Sequence, residues 1–387
     1  MKNPHALLQD EKQIETIESI ERVDKDGYLY HMKCTFDYYH LPEPMALMLK
    51  AGCSVFITRN REGDVLFCRN YDFSHYLNFV RKNGRTGLNM IVEGNNPAAK
   101  YRSLGAGDCF WIDFKNASLG RGMADDGKTD LSAFLLCPYL CMDGVNEKGV
   151  AICILSLLVE NEWTEIPYES YEEKLNENKF NFFFEKSGEV PSPYILRASI
   201  GSLAVNKADK KAWIANQRWI ESKIPGKPAI LHPVLMRMVL DNCANVDEAI
   251  ALMRQYNIKG AMPGADYHLM VADSSGKSRL VEWTENEMFV HNIDHATNHW
   301  VSKADGFFPE GCDRDDAIVA GMNRFRKGGM SQAQVEALMR LVIQDPDNNN
   351  DDGKTQYSCI YNLTKKTLKI FSYGNMDESW EYALNTD

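Results

Sequence analysis

One cysteine in this sequence stands among residues that would make it reactive. Cys53 lies in Ala51-Gly52-Cys53-Ser54, and the run Arg69-Asn70-Tyr71-Asp72 follows a short way on. A guanidinium beside a thiol favours the thiolate, the form that attacks a carbonyl carbon. A carboxylate nearby can hold an ammonium or orient a base. Cys53, Arg69 and Asp72 therefore read as a nucleophile in a charged setting. Taken singly, they also read as a buried thiol and a surface ion pair, and the residues alone leave both readings open.

What would bring the three together is a hairpin. Ser54 to Thr58 (SVFIT) and Val65 to Cys68 (VLFC) are β-rich runs separated by the Asn, Gly and Asp of Arg59 to Asp64, so the chain should turn back and return its ends to one edge of a sheet. The pattern recurs. A polar turn over Asp143 to Gly149 leads into the apolar run Val150 to Val159, read as a buried strand. Tyr267 to Ala272, Ser278 to Trp283 and Met288 to His291 read as a three-strand meander, and Tyr357 to Asn362 with Thr367 to Ser372 as a last hairpin. Helical spacing marks Pro233 to Cys243, Val246 to Tyr256 with Asn245 as N-cap, and Gln332 to Ile343 with Ser331 as N-cap. Another helical stretch covers Pro44 to Lys50, and the first 27 residues read as a polar, weakly amphipathic helix in which Ile14, Ile17 and Ile20 recur. Hairpins alternating with helix pairs predict an α+β chain of packed antiparallel sheets covered by helices. No Pro/Gly/Ser-rich linker divides it, so one domain is expected after an N-terminal segment. The acidic run Asp345 to Asp352 is an exposed loop, since it lacks the Glu an EF-hand requires at its twelfth position.

Composition narrows the function classes. Lys and Arg number 43 against 54 Asp and Glu, a net charge of −11, which disfavours nucleic acid and anionic membranes as partners. The longest apolar run, Gly149 to Val159, is about half of what a bilayer span needs. The N-terminal residues carry no apolar signal core, so a cytoplasmic location is expected. The ten cysteines are scattered through apolar contexts and read as reduced thiols. Their one close pair, Cys137 and Cys141, has no Cys or His partners at zinc spacing.

The block Gly52-Cys53-Ser54-Val55-Phe56, with Asn60-Arg61-Glu62-Gly63-Asp64-Val65-Leu66-Phe67-Cys68-Arg69-Asn70-Tyr71-Asp72, resembles the start of the choloylglycine hydrolase family. That family holds bile salt hydrolases, penicillin V acylases and related linear-amide C–N hydrolases of the N-terminal-nucleophile class. The resemblance continues in order through Met142 to Gly149, His268 to Glu282, Ala296-Thr297-Asn298 and Gly311-Cys312-Asp313-Arg314. It implies a four-layer αββα sandwich with two antiparallel sheets between helices. Cys53 would be the nucleophile, and its own α-amine the base once the Gly52–Cys53 bond is cut, so that no metal or organic cofactor is needed. Arg69 would sit beside the thiolate, Asp72 would hold the α-ammonium, Asn298 would donate to the oxyanion and Arg314 would complete the electrostatic setting. Where family members commonly carry an Asn or Tyr near the oxyanion, this chain has Ser156.

On this resemblance, residues 1–52 form a pro-segment, with Leu47-Met48-Leu49 filling the substrate pocket until cleavage, and residues 53–387 form the catalytic domain. The substrate would be a small-molecule N-acyl amide: a conjugated bile salt, a penicillin V-like compound or another N-acyl compound. The pocket material would be Phe73, Tyr76, Phe79, Phe110, Trp111 and the Phe180 to Phe184 run. The sequence leaves homo-oligomerisation open. Two other readings compete. One is a thiol hydrolase or acyltransferase in which His268 or His299 serves Cys53 as base. The other is a non-catalytic binding protein on the same fold, which would have no reason to keep Cys53, Arg69, Asp72, Asn298 and Arg314 together.

Overall fold

A computed structural model describes residues 11–40, 51–73, 89–109, 119–120, 122–123, 132–157, 222–259, 266–284, 286–302, 313–344 and 354–384. The helix expected over Pro44 to Lys50, the acidic loop over Asp345 to Asp352 and most of the expected pocket aromatics lie outside these residues. The described strands, in chain order, are β1 (Glu21–Arg22), β2 (Leu29–Cys34), β3 (Ala51–Arg59), β4 (Val65–Phe73), β5 (Asn89–Gly94), β6 (Ser103–Asp108), β7 (Leu119–Gly120), β8 (Gly122–Met123), β9 (Cys141–Asn146) and β10 (Ala151–Leu157). They continue with β11 (Ala229–Leu231), β12 (Asn257–Lys259), β13 (Asp266–Ala272), β14 (Ser278–Trp283), β15 (Met288–His291), β16 (His295–Ala296), β17 (Thr355–Asn362), β18 (Thr367–Ser372) and β19 (Asn375–Ala383). The described α-helices are α1 (Glu11–Glu18), α2 (Cys137–Leu140), α3 (His232–Asn242), α4 (Val246–Met253), α5 (Asp313–Phe325) and α6 (Gln332–Leu341).

Two sheets carry the fold. The larger runs β1-β2-β5-β6-β9-β10-β13-β14-β15, and the smaller β16-β3-β4-β17-β18-β19. They face each other, with β10 against β3. Helices α2, α3 and α4 pack on the outside of the larger sheet, and α5 and α6 on the outside of the smaller one. The result is the αββα layering that the resemblance implies. It departs from that expectation in one pair. β2 and β5 run parallel, because the chain leaves β2, builds the β3–β4 hairpin in the other sheet and returns in the same direction, the long connection a parallel pair requires. A short pair, β11 with β12, is parallel as well.

Alternation along β3 and β4 sorts the side chains between two apolar cores. Val55, Ile57, Phe67 and Tyr71 point between the sheets. Phe56, Leu66 and Cys68 point the other way, where Ile318 of α5 and Val335 and Met339 of α6 cover them. Cys53 and Arg69 fall on the inter-sheet parity, whereas Asn70 and Asp72 fall on the helix side. The site is thus split across a sheet by the pleat itself.

The elements follow the sequence reading closely where periodicity was strong. Asn245 caps α4 by accepting from the Glu248 N–H, and Ser331 caps α6 in a full capping box with Gln334. The turn expected over Asp143 to Gly149 is shorter, since Asp143 to Asn146 belong to β9 and Gly149 closes the turn at a φ of +79°. Leu29, Tyr30 and Met32 of β2 are fully buried in the larger sheet's core. Tyr38 donates to Asp241 of α3 at 2.9 Å. Much of the segment before Cys53 is therefore built into the sheet.

Candidate active site

Cys53 lies in β3 opposite Tyr71, and Gly52 lies opposite Asp72, so the expected cleavage site is held near one end of the antiparallel β3–β4 ladder. The Cys53 side chain is fully buried. Arg69 Nη2 donates to its sulfur at 3.4 Å, and the backbone N–H groups of Asp72 and Ser156 do so too. Burial pushes the thiol's pKa up, while the Arg69 charge and those two N–H groups pull it down and the Asp72 charge adds to the rise; burial prevails. The sulfur is accordingly a thiol in this arrangement, with a cation beside it to receive charge when it ionises.

Arg69 is itself fully buried. Its Nε lies 2.8 Å from Asp143 Oδ2, its Nη1 donates to the Ile154 carbonyl at 2.5 Å, and its guanidinium lies over the Tyr71 ring. Asp143 in turn accepts from the hydroxyls of Tyr357, at 2.9 Å, and Tyr361. A buried charge persists only with such pairing. Asp143 lies in the Met142 to Gly149 stretch, where nothing in the local sequence marks it as the partner of a buried arginine. The two tyrosines at i and i+4 on the buried strand β17 were the signal that a polar group must lie opposite.

On the other side of the sheet, Asp72 meets Arg314 and Thr355. Arg314 Nη1 donates to Asp72 Oδ2 at 3.1 Å and to the Cys53 carbonyl at 3.0 Å. Thr355 Oγ1 donates to Asp72 Oδ1 at 2.5 Å. Burial raises the Asp72 pKa to about 7 against the opposing pull of Arg314, Thr355 and Arg69. Thr355 was not anticipated; it is the first residue of β17 and meets Asp72 across the β4–β17 register.

Asn298 completes the group, with a different geometry from the expected one. Its Oδ1 accepts the Cys53 N–H at 2.7 Å and Arg314 Nη2 at 2.8 Å, and its Nδ2 donates to the Ser156 carbonyl at 2.6 Å. In the uncut chain Asn298, not Asp72, holds the Cys53 nitrogen. Ser156, at the end of β10, contributes backbone only to these contacts: its N–H to the sulfur and its carbonyl to Asn298. All of Cys53, Arg69, Asp72, Asn298, Arg314 and Ser156 converge here.

The two histidines weighed as a base are engaged elsewhere. His268 Nδ1 meets Glu282 at 3.1 Å and its Nε2 meets the Thr297 carbonyl at 2.8 Å, while His299 Nδ1 meets Thr297 Oγ1 at 2.9 Å. Phe73, named as pocket material, is fully buried and stacked on Tyr71; the rest of that group lies outside the described residues. The nine described cysteines are buried and unbridged. Among the described residues no cluster of His, Cys, Asp or Glu could hold a metal ion, and no helix is long and apolar enough to cross a membrane.

Comparison with known proteins bears on part of this group. Residues 212–299 match the family model described as linear amide C–N hydrolases, choloylglycine hydrolase family. Over that stretch, less than half of the chain, the sequence is similar to this family. The matched stretch takes in His268, Glu282 and Asn298, while Cys53, Arg69, Asp72 and Arg314 lie outside it. A penicillin V acylase of Pectobacterium atrosepticum is 31% identical over 107 residues, 24% of this chain and 28% of that relative, so the chain spans little more than a quarter of its length. Among solved structures, a conjugated bile acid hydrolase variant from Clostridium perfringens aligns at 15% identity and a TM-score of 0.49, covering 87% of this chain and 93% of that one. Penicillin V acylase from Agrobacterium tumefaciens aligns at 16% identity and a TM-score of 0.39, covering 83% of each chain.

Proposed function

We propose that this protein hydrolyses the linear amide C–N bond of an N-acyl substrate, with Cys53 as nucleophile and the Cys53 α-amine as base. The observation that carries the reading is the convergence on one residue's two ends: Arg69 at the sulfur, and Asn298 and Arg314 at the nitrogen and carbonyl. A plain structural thiol needs neither a fully buried cation at its sulfur nor an Asn–Arg clamp on its backbone.

The first step is maturation. The Cys53 sulfur attacks the Gly52 carbonyl carbon, the Gly52–Cys53 C–N bond breaks as the nitrogen takes up a proton, and water hydrolyses the resulting thioester. This releases the Gly52 carboxylate and the Cys53 amine. An α-amino group titrates near 7.7, about ambient pH, and so suits a proton shuttle without a histidine. In turnover the thiol proton passes to the amine and the sulfur attacks the amide carbonyl. Asn298 Nδ2 and the Ser156 N–H then stabilise the oxyanion, where one donor is worth roughly 3–4 kcal/mol. The α-ammonium protonates the leaving amine, and water activated by the amine hydrolyses the thioester to free the acid. Asp72 and Arg314 hold the charge balance around the amine throughout. Because β2 and Tyr38 are built into the fold, the cut leaves the earlier segment bound as a separate piece.

The test is the mass of purified wild type and Cys53→Ala under denaturing conditions, followed by assays with penicillin V and a glycine-conjugated bile salt as N-acyl amide probes. The expected result is a wild-type chain of residues 53–387 that releases amine from at least one probe, beside a variant that stays whole and inert. A whole wild-type chain with amidase activity would refute the α-amine as base, and a cut but inert chain would refute the substrate class.

A further inference from the structure

Asn298 stands on a loop, and the loop is gripped on both sides of it by one buried pair. His268 and Glu282 are fully buried on the adjacent strands β13 and β14. Before Asn298, the Thr297 carbonyl sits 2.8 Å from His268 Nε2. After it, Val301 N–H donates to Glu282 Oε1 at 2.9 Å, and Ser302 donates to Oε2 through its N–H, at 2.7 Å, and its hydroxyl. His268 Nδ1 meets Glu282 Oε1 at 3.1 Å, and His291 Nε2 lies 3.3 Å from Oε2.

We propose that the Glu282–His268 pair is a positioning device that sets Asn298 against Cys53. It acts on the amide-hydrolysis reading above, on which its kinetic consequence rests. The chemistry of the partners fixes its state. Every group facing Glu282 from the loop is a donor, so the carboxylate must be ionised. Burial favours the neutral acid, yet the His268 and Ser302 bonds and the His268 charge outweigh it and bring the Glu282 pKa to about 2. His268 lies between the Glu282 carboxylate and the Thr297 carbonyl, and with both ring nitrogens engaged there it is not placed to serve Cys53 as a base. What it does is tie the Thr297 carbonyl, one residue from Asn298, to the same carboxylate that holds residues 301 and 302. Asn298 Oδ1 then sits 2.7 Å from the Cys53 nitrogen with no strand of its own to place it.

Glu282→Gln is the sharpest test, since a carboxamide must turn its NH₂ toward at least one of those donors. A crystal structure of the variant reads the Asn298 Oδ1–Cys53 N separation directly. A separation beyond about 3.5 Å, outside hydrogen-bond reach, supports the proposal; one unchanged overturns it, whatever the substrate. On the probe amide, kcat should fall about a hundredfold, the scale of a 1 Å misplacement, while KM stays within about threefold. An unchanged kcat overturns the positioning role. Should Glu282→Gln fail to fold, Ser302→Ala removes a single donor from the carboxylate and must move the same distance and the same kcat in the same direction, to a smaller extent. Wild-type protein inert toward every probe would sink the functional reading and leave the structural distance to decide this one.

Discussion

Two arginines reach Cys53 from opposite faces of one sheet, and they are held in opposite ways. Arg69 comes from β4 into the space between the sheets, has no exposed surface, and is committed to Asp143, the Ile154 carbonyl, the Tyr71 ring and the Cys53 sulfur. Arg314 comes from the first turn of α5 on the helix side, keeps 18% of its side chain exposed, and divides its donors among Asp72, the Cys53 carbonyl and Asn298. The first is part of the fold's interior and cannot move without breaking it. The second sits on a helix of which only Ile318 and Met322 are buried, and its partners are groups of the site itself. The sulfur end of Cys53 is thus fixed by the core, whereas the nitrogen end is fixed by a web of side chains that mutations elsewhere can loosen.

The largest expected effect follows from the buried arginine. Arg69→Met removes the cation and leaves Asp143 buried among tyrosines without its partner, a loss of about 3–5 kcal/mol for a broken buried pair. Urea unfolding monitored by fluorescence should show it as a large drop in midpoint. A drop of less than about 1 kcal/mol would mean that Arg69 is no more built in than Arg314, and the contrast would fail.

Asp72 lies between the two arginines and gives a pH signature. Its pKa rises from 3.8 to about 7 through burial, so the fold prefers the protonated form. The stability contributed by that preference is complete below about pH 4 and is lost as the pH climbs through about 7. Asp72→Asn has no such loss. The stability of wild type relative to this variant should therefore decline by up to roughly 4 kcal/mol between those limits. Thermal melts of both proteins from pH 4 to pH 8 check it. A flat difference would show Asp72 already ionised, with Arg314 dominating over burial.

A smaller effect probes the helix side. Ser331 caps α6, and the Met339 carbonyl of that helix accepts from Asn70 of β4 at 3.0 Å. Ser331→Ala should cost about 1 kcal/mol in the same urea assay and leave the thiol environment untouched. If Cys53 alkylation by iodoacetamide changes as well, the helix layer is coupled to the sulfur end, and the two faces of the sheet do not act separately.

How much of this was legible beforehand depends on what fixes each residue. The β3–β4 hairpin could be read because its apolar positions alternate and its turn carries Asn, Gly and Asp, and with it came Cys53, Arg69 and Asp72. β6 could not, because Ser103-Leu104-Gly105-Ala106-Gly107-Asp108 looks like a loop. Its glycines are there for close approach: a Cβ on Gly105 would meet the Asp143 carbonyl at 2.8 Å, and one on Gly107 the Leu140 carbonyl at 2.6 Å. α5 escaped because its first turn is a run of charges and only Ile318 and Met322 are buried, too few to show a helical stripe. Asn298 and Arg314 were found through the resemblance alone, since nothing local marks a loop amide or a helix-start arginine as special. The roles of Asp143, Thr355, His268 and Glu282 depend on contacts between strands far apart in the chain, which no spacing rule reveals.

The smallest expected effect on stability is also the one that separates the two arginines most cleanly. Arg314→Lys keeps the charge near Asp72 but loses the planar fork that lets one side chain reach a carboxylate, a backbone carbonyl and an amide oxygen together. Because the group is partly exposed, the stability cost should be about 1 kcal/mol or less, the range of exposed ion pairs. Function should respond far more, since both the Cys53 carbonyl and Asn298 lose a partner: appearance of the 53–387 chain on a time course should slow markedly while the urea midpoint barely moves. If the lysine variant matures at the wild-type rate, Arg314 supplies only charge, and the nitrogen end of Cys53 is held by Asn298 alone. If instead it unfolds as readily as Arg69→Met, both arginines belong to the core, and the two ends of Cys53 are fixed in the same way.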